Sequence, residues 1–235
     1  MRVIIEEAFR SLFPEALIGI VIANDIDNRR NAGDAGAELV SAAALVSGTS
    51  AGSDIAAHPA VAPWRQAYRR FGVKPCRYRS SIEGLLRTAQ TRETRSINPL
   101  VDLYNAVSLR HLLPCGGEDI DEIEGDLRLT IAAGGESFIP LGATEESPPI
   151  SGEVVYADEA GIVCRCWNWR EADRTKLTPE TTRAVLVIEA LPPRTPDDVL
   201  SACHDLAGMA TLHLNATCRV ALLSENGVEE TVLNA

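Results

Sequence analysis

One carboxylate interrupts an otherwise apolar run in the last quarter of the chain. In Ala184-Val185-Leu186-Val187-Ile188-Glu189-Ala190-Leu191 only Glu189 is polar. An unpaired buried charge is costly, so Glu189 is either paired, exposed at a strand end, or lining a site. Pro192-Pro193 follows closely and keeps the exposed-end alternative open. Asn105 is a second candidate. It falls in the middle of a helical pattern, where asparagine is a mediocre former, and its amide either reads a ligand or faces water. Gly134-Gly135-Glu136 follows a strand-like run. It either brings backbone N–H groups to an anion or carbonyl, or makes an ordinary turn. Trp167-Asn168-Trp169-Arg170 combines aromatic, amide and cation. Such a cluster either stacks on and hydrogen-bonds an adenine or amino-acid side chain, or plugs the space between strands.

Other chemistries are missing from the sequence. It has no Walker loop, no GxGxxG after a strand, no HExxH and no GxSxG elbow. His58, His111, His204 and His213 are scattered without metal-ligand spacing, and Cys164 and Cys166 have no second close cysteine pair to complete a zinc site. No metal or cofactor is expected, and the six cysteines read as reduced thiols in the core.

The net charge is −11, but it is unevenly spread. Between Trp64 and Arg95 stand nine basic residues, Arg65, Arg69, Arg70, Lys74, Arg77, Arg79, Arg87, Arg92 and Arg95, against only Glu83 and Glu93. That segment carries +7 and the remainder −18. A basic segment on an acidic body suits contact with a phosphate backbone; the alternative is a helix surface whose arginines pair with acids elsewhere in the fold. No apolar run is long enough to span a bilayer, and the first residues are acidic where a secretory signal needs an apolar stretch. A cytoplasmic protein without a membrane partner is expected.

The elements that must position these residues follow from periodicity. Ala16 to Ala23 reads as a buried strand, Asn24 to Gly36 as turns, Ala37 to Val46 as a short helix and Ser47 to Pro63 as a loop. Trp64 to Phe71 is a helix, with Trp64, Tyr68 and Phe71 on one stripe and Arg65 and Arg69 off it. Ser81 to Glu93 is another. The clearest start signal is Asn98-Pro99, a cap followed by proline in the first turn, with Asp102 favoured by the helix dipole. That helix ends before Pro114, and Gly116-Gly117 follow as a break. Leu127 to Ala132, Glu153 to Ala157, Ile162 to Trp167 and Ala184 to Leu191 are strand-like, Asp197 to Met209 helical, and Cys218 to Leu223 a last strand before a tail expected to fray. Helices early and strands late argue an α+β fold. No linker stands out, so a single domain over residues 1–235 is expected.

The stretch Ser96-Ile97-Asn98-Pro99-Leu100-Val101-Asp102-Leu103-Tyr104-Asn105-Ala106-Val107-Ser108-Leu109, followed in order by Gly134-Gly135-Glu136 and Ile188-Glu189, resembles the B3/B4 domain, the editing domain of the phenylalanyl-tRNA synthetase beta subunit. The resemblance covers about residues 16–191 and leaves 192–235 as a C-terminal extension. It implies a layered sandwich of mixed and antiparallel sheets with helices packed on one side, and hydrolysis without metal. Asn105 matches the family's editing-site asparagine and Glu189 its strand-end glutamate. Tyr104 stands where relatives carry threonine, and Pro114-Cys115-Gly116 places Gly116 where the family has histidine. The resemblance implies aminoacyl-tRNA as partner and no DNA. The expected activity is trans-acting deacylation of mischarged tRNA, with a non-catalytic tRNA- or amino-acid-binding module as the alternative. As a deacylase, Glu189 and Asn105 would hold the aminoacyl group and water, Gly134, Gly135, Trp167, Asn168 and Tyr104 would shape the pocket, and Arg65, Arg69, Arg70, Lys74, Arg77 and Arg79 would meet phosphates. The oligomeric state is not legible in the sequence.

Overall fold

The computed structural model of the chain describes residues 1–50, 54–91, 94–223 and 231–232. Its strands and α-helices run β1 (Arg2–Ile5), α1 (Glu7–Leu12), β2 (Leu17–Asn24), α2 (Ala32–Ser50), α3 (Ala62–Arg70), α4 (Ser81–Thr91), α5 (Pro99–His111), β3 (Cys115–Asp119), β4 (Leu127–Ile131), β5 (Val154–Ala157), β6 (Ile162–Arg165), β7 (Arg170–Glu171), β8 (Ala184–Ala190), α6 (Pro196–Leu214), β9 (Thr217–Leu223) and β10 (Thr231–Val232). Two sheets result, as the α+β expectation requires. One has the order β10-β1-β4-β5-β6-β7, with β1 and β4 parallel; the other, β3-β8-β2-β9, is antiparallel throughout.

Strand periodicity decides what faces what. Gly19 of β2 points at α6: a Cβ there would lie 2.5 Å from Cys203 Sγ and 2.6 Å from Val199 Cγ1. Its neighbours Ile18, Ile20 and Ile22 therefore point away from α6. They stand opposite Glu189, Val187 and Val185 of β8, and Gly116 and Glu118 of β3 stand opposite Val187 and Val185. All of these share the face turned toward the six-stranded sheet. There, the register aligns Leu129, Tyr156, Cys164 and Glu171 in a row across β4, β5, β6 and β7. On the outer face of the four-stranded sheet α6 packs on β2, β8 and β9, α5 on α6 and β3, and α2 on α5.

The expected start of α5 is borne out in detail. Asn98 accepts from the Val101 N–H at 3.1 Å, receives the Asn28 amide at 3.1 Å and donates to the Leu177 carbonyl at 3.1 Å. Asn28 in turn accepts from the Leu100 N–H at 2.8 Å. Asp102 is buried and accepts from the Ile97 N–H and the Ser96 hydroxyl, so it closes the turn before the helix.

Other expectations need correction. The helix expected over Ala37 to Val46 runs from Ala32 to Ser50, because the alanine-rich stretch carries helix propensity past its glycines and into the expected loop. Gly116-Gly117 opens β3 instead of merely ending α5. A Cβ on Gly117 would come within 2.5 Å of Leu186 Cδ2, so glycine lets this edge strand lie close on β8. The chain outside residues 16–191 is no appendage: β1 joins the six-stranded sheet, and α6 and β9 pack on and pair with β2. Residues 51–53 of the expected loop, Arg92 and Glu93 of the expected helix, and most of the expected frayed tail lie outside the described residues. Among the described residues no helix is long and apolar enough to cross a membrane.

Substituting Asn98→Ala removes the α5 cap and strands the Leu177 carbonyl, and is expected to cost about 2–3 kcal/mol in urea unfolding. A loss below about 0.5 kcal/mol, the range of ordinary surface changes, would show that this network does not hold the helix.

Candidate functional site

Between the facing sheets, near the edge strands β3 and β7, lies a cavity of about 180 Å³. That is the scale of an amino-acid side chain, below the roughly 300–1,000 Å³ that drug-sized ligands occupy. Glu189 lines it from β8 and is 3% exposed. Its Oε1 accepts from the Tyr156 hydroxyl at 2.6 Å and from the Trp167 indole N–H at 2.6 Å, and its Oε2 from the Asn168 amide at 2.6 Å. Burial pushes its carboxyl up to about 7, while the three hydrogen bonds from Tyr156, Asn168 and Trp167 pull the other way.

Two of the three donors come from a strained turn between β6 and β7. Cys166 and Trp167 both adopt left-handed backbone, with φ of +47° and +66°, a conformation that costs non-glycine residues about 1–3 kcal/mol each. The surroundings fix it. Arg165 grips Glu153 through two hydrogen bonds of 2.9 and 2.8 Å, and the same Glu153 accepts from the Cys166 N–H at 2.9 Å. The Trp167 ring is enclosed by Phe9, Phe13 and Trp64, with centroids 4.8–4.9 Å away. The Tyr68 hydroxyl donates to Asn168 Oδ1 at 2.9 Å, which turns the amide nitrogen toward Glu189.

From α5, Tyr104 and Asn105 also line the cavity. Tyr104 is buried; Asn105 is half-buried, and its side chain has no hydrogen bond to another described residue. Two further carboxyls line the same cavity, Glu118 on β3 and Glu171 on β7. Burial pushes both upward; Glu171 further raises Glu118, while the Gly117 N–H and Arg170 pull Glu171 back, leaving it at about 7. Among the described residues no three His, Cys, Asp or Glu side chains converge as a metal site.

The structure thus brings Glu189, Asn105, Tyr104, Trp167 and Asn168 together, but it changes the part Trp167 plays. With both ring faces packed it is no stacking platform; its N–H holds Glu189. The half-buried aromatic on the cavity is Trp169, stacked edge-on against Tyr78 at 4.7 Å. Gly134 and Gly135 do not border the cavity. Glu136 accepts from the N–H groups of Ala133 and Gly134 at 2.6 and 2.9 Å, and the Gly135 N–H donates to the Pro149 carbonyl, so this turn satisfies its own donors.

The basic segment divides. Arg65 is bound to Glu83 at 2.8 Å, and Glu83, fully buried, also takes Arg87 at 2.9 Å. Arg65 is therefore structural and withdrawn from any phosphate-binding role. Arg69, Arg70, Lys74, Arg77 and Arg79 are exposed and make no ion pair with a described carboxylate. Their segment leads into Ser81, whose N–H donates to the Asn168 carbonyl at the cavity rim.

Sequence reasoning missed Tyr156, Glu118 and Glu171. Their convergence depends on which edge strands face one another, and no local pattern carries that.

Fold and site together define a two-sheet α+β domain with an acidic cavity between its layers. A family model described as the B3/4 domain matches residues 63–199, more than half of the sequence, and the chain belongs to that family. The match begins at α3, later than the residue 16 expected from the motifs. No curated protein matches the chain. Among solved structures it is similar to an N-terminal fragment of the phenylalanyl-tRNA synthetase beta subunit from Pyrococcus horikoshii, at 13% identity and a TM-score of 0.46, over 92% of this chain and 50% of that one. The chain therefore spans about half the length of that fragment.

The raised carboxyl predicts a pH dependence. Folded Glu189 keeps its proton up to about 7, whereas the unfolded chain releases it near the ordinary 4.5. Unfolding free energy attributable to this group therefore falls as pH rises from about 4.5 to about 7, by about 3 kcal/mol at ~1.4 kcal/mol per pH unit. In Glu189→Gln that component disappears, so the variant should gain about 3 kcal/mol on the parent across this window in urea titrations. Parallel pH profiles would contradict the assignment.

Proposed function

We propose that the chain is an aminoacyl-tRNA deacylase acting in trans on mischarged tRNA. The observation that carries this reading is a cavity of amino-acid scale that holds an oriented buried carboxyl, Glu189, and an unpartnered amide, Asn105. Membership in the B3/4 family and the match of these two residues to the editing-site pattern support it. So does the exposed Arg69 to Arg79 stretch, which leads into Ser81 at the rim.

An aminoacyl ester is already activated, so the protein's task is to place water against the carbonyl and keep the terminal ribose still. The aminoacyl group enters between the sheets. Asn105 donates to the ester carbonyl, where negative charge grows in the transition state. Glu189, with a proton affinity near neutrality, takes the proton of the attacking water and passes it to the leaving ribose hydroxyl. The terminal adenosine rests at the mouth beside Trp169 and Arg170, and Arg69, Arg70, Lys74, Arg77 and Arg79 meet the phosphates. A cytoplasmic setting goes with this substrate.

One observation favours a second reading, a module that binds aminoacyl-tRNA without turnover: Gly116 occupies the position of the family histidine. Deacylation of a panel of correctly charged and mischarged tRNAs separates the two. Hydrolysis of one or a few members is expected, with the single-turnover rate at least about tenfold lower in Glu189→Ala, Asn105→Ala, in line with loss of oriented polar groups. Arg77→Glu, Arg79→Glu should weaken tRNA binding and flatten its salt dependence. Salt-sensitive binding with no hydrolysis above the spontaneous rate would select the module.

A further inference from the structure

We infer that Glu171, backed by Glu118, forms a subsite for a primary ammonium group in the cavity, on the β3 side of Glu189. For the identity of the ligand this rests on the aminoacyl-tRNA reading; for the binding chemistry it rests on the site alone.

Register sets the spacing. Gly116 stands opposite Val187, two residues before Glu189 on β8, or about 7 Å along the strand, and Glu118 opposite Val185, about 13 Å along it. Glu118 shares the face of Gly116, and a Cβ on Gly116 would lie 3.3 Å from Glu171 Oε1, so both carboxyls point into the same end of the space between the sheets. Glu118 is 5% exposed, and its Oε2 has no hydrogen-bond partner. The nearby Thr175 hydroxyl is buried and equally unpartnered; it lies close enough to favour the ionised carboxyl but outside hydrogen-bonding geometry. A buried acceptor without a donor is rare in folded proteins and marks the place of a missing group.

The chain's own cations do not supply that group. Neither Glu118 nor Glu171 has an ion pair among the described residues. Arg174 and Arg170 favour the ionised forms of Glu118 and Glu171 without pairing with them: Arg174 is committed to Asp158 and to the Glu122 carbonyl at 2.9 Å, and Arg170 is exposed at the rim. The three cavity carboxyls are not grouped as a metal site. A primary ammonium meets the remaining requirements: it is a compact charge with three donors, small enough to reach the half-buried Glu171 and to neutralise the pair behind it. Burial raises both carboxyls, and an ammonium beside them offsets that effect by favouring their ionised forms.

The ammonium has two possible sources, the α-amino group of an aminoacyl ester or a side-chain amine. Calorimetric titration of the full chain with the C-terminal amides of the common amino acids, their Nα-acetyl counterparts and Nα-acetyl-lysine amide distinguishes them. At least one amino-acid amide is expected to bind, with affinity at least tenfold lower once acetylated. Glu171→Gln should reduce the amide's affinity by a similar factor and leave the acetylated compound unchanged. Retention of binding by Nα-acetyl-lysine amide alone would assign the subsite to a side-chain amine. Equal binding of amides and acetylated amides, or no binding by any amide, would overturn the proposal, and this comparison on the unaltered protein does not depend on the variant folding. Comparing aminoacyl-tRNA with N-acetylaminoacyl-tRNA separates this inference from the deacylase reading. Equal hydrolysis of both overturns the subsite and leaves the deacylase standing. Amine-dependent amide binding without hydrolysis of either tRNA does the reverse.

Discussion

The fold is organised around the solvation of one carboxyl group. Glu189 sits in a strand whose seven residues are all buried, and water cannot supply the hydrogen bonds its oxygens need. All three of its donors come from outside its own sheet, one from β5 and two from the turn after β6. Leaving such a group unpartnered would cost several kcal/mol, so the two sheets are held in one relative position. The constraint propagates outward. Trp167 can donate only while its ring stays between Phe9, Phe13 and Trp64, which ties α1 and α3 to the site. The left-handed turn that presents Trp167 exists because Glu153 and Arg165 clamp the residue before it.

What could be read from the sequence follows from how local each signal is. Glu189 stands out because a single charge in an apolar run has few physical explanations. The start of α5 is legible because a cap and a following proline act within four residues. Glu118 and Glu171 are invisible by the same logic. Both stand among polar neighbours, and their significance comes from the pairing of edge strands more than fifty residues apart. For Trp167 a stacking platform and a plug between strands both stayed open, since composition does not distinguish an aromatic whose faces are free from one whose faces are packed. Arg65 fails differently. Its charge is real, but a fully buried glutamate on the next helix absorbs it.

Charge is unevenly placed around the site. Five exposed cations lie on the segment that leads to Ser81, Arg170 lines the cavity, and three carboxyls line its interior. Trp169 lines the cavity next to Arg170, so an aromatic and a guanidinium meet there beside the carboxyls.

Gly116 carries a steric consequence. A Cβ on Gly116 would lie 3.3 Å from Glu171 Oε1, the flexible end of a half-buried side chain. A larger residue at 116 therefore needs Glu171 to turn aside, and the size of the one sets the rotamer of the other. Changes at the two positions are coupled: the effect of a substitution at 116 depends on what stands at 171.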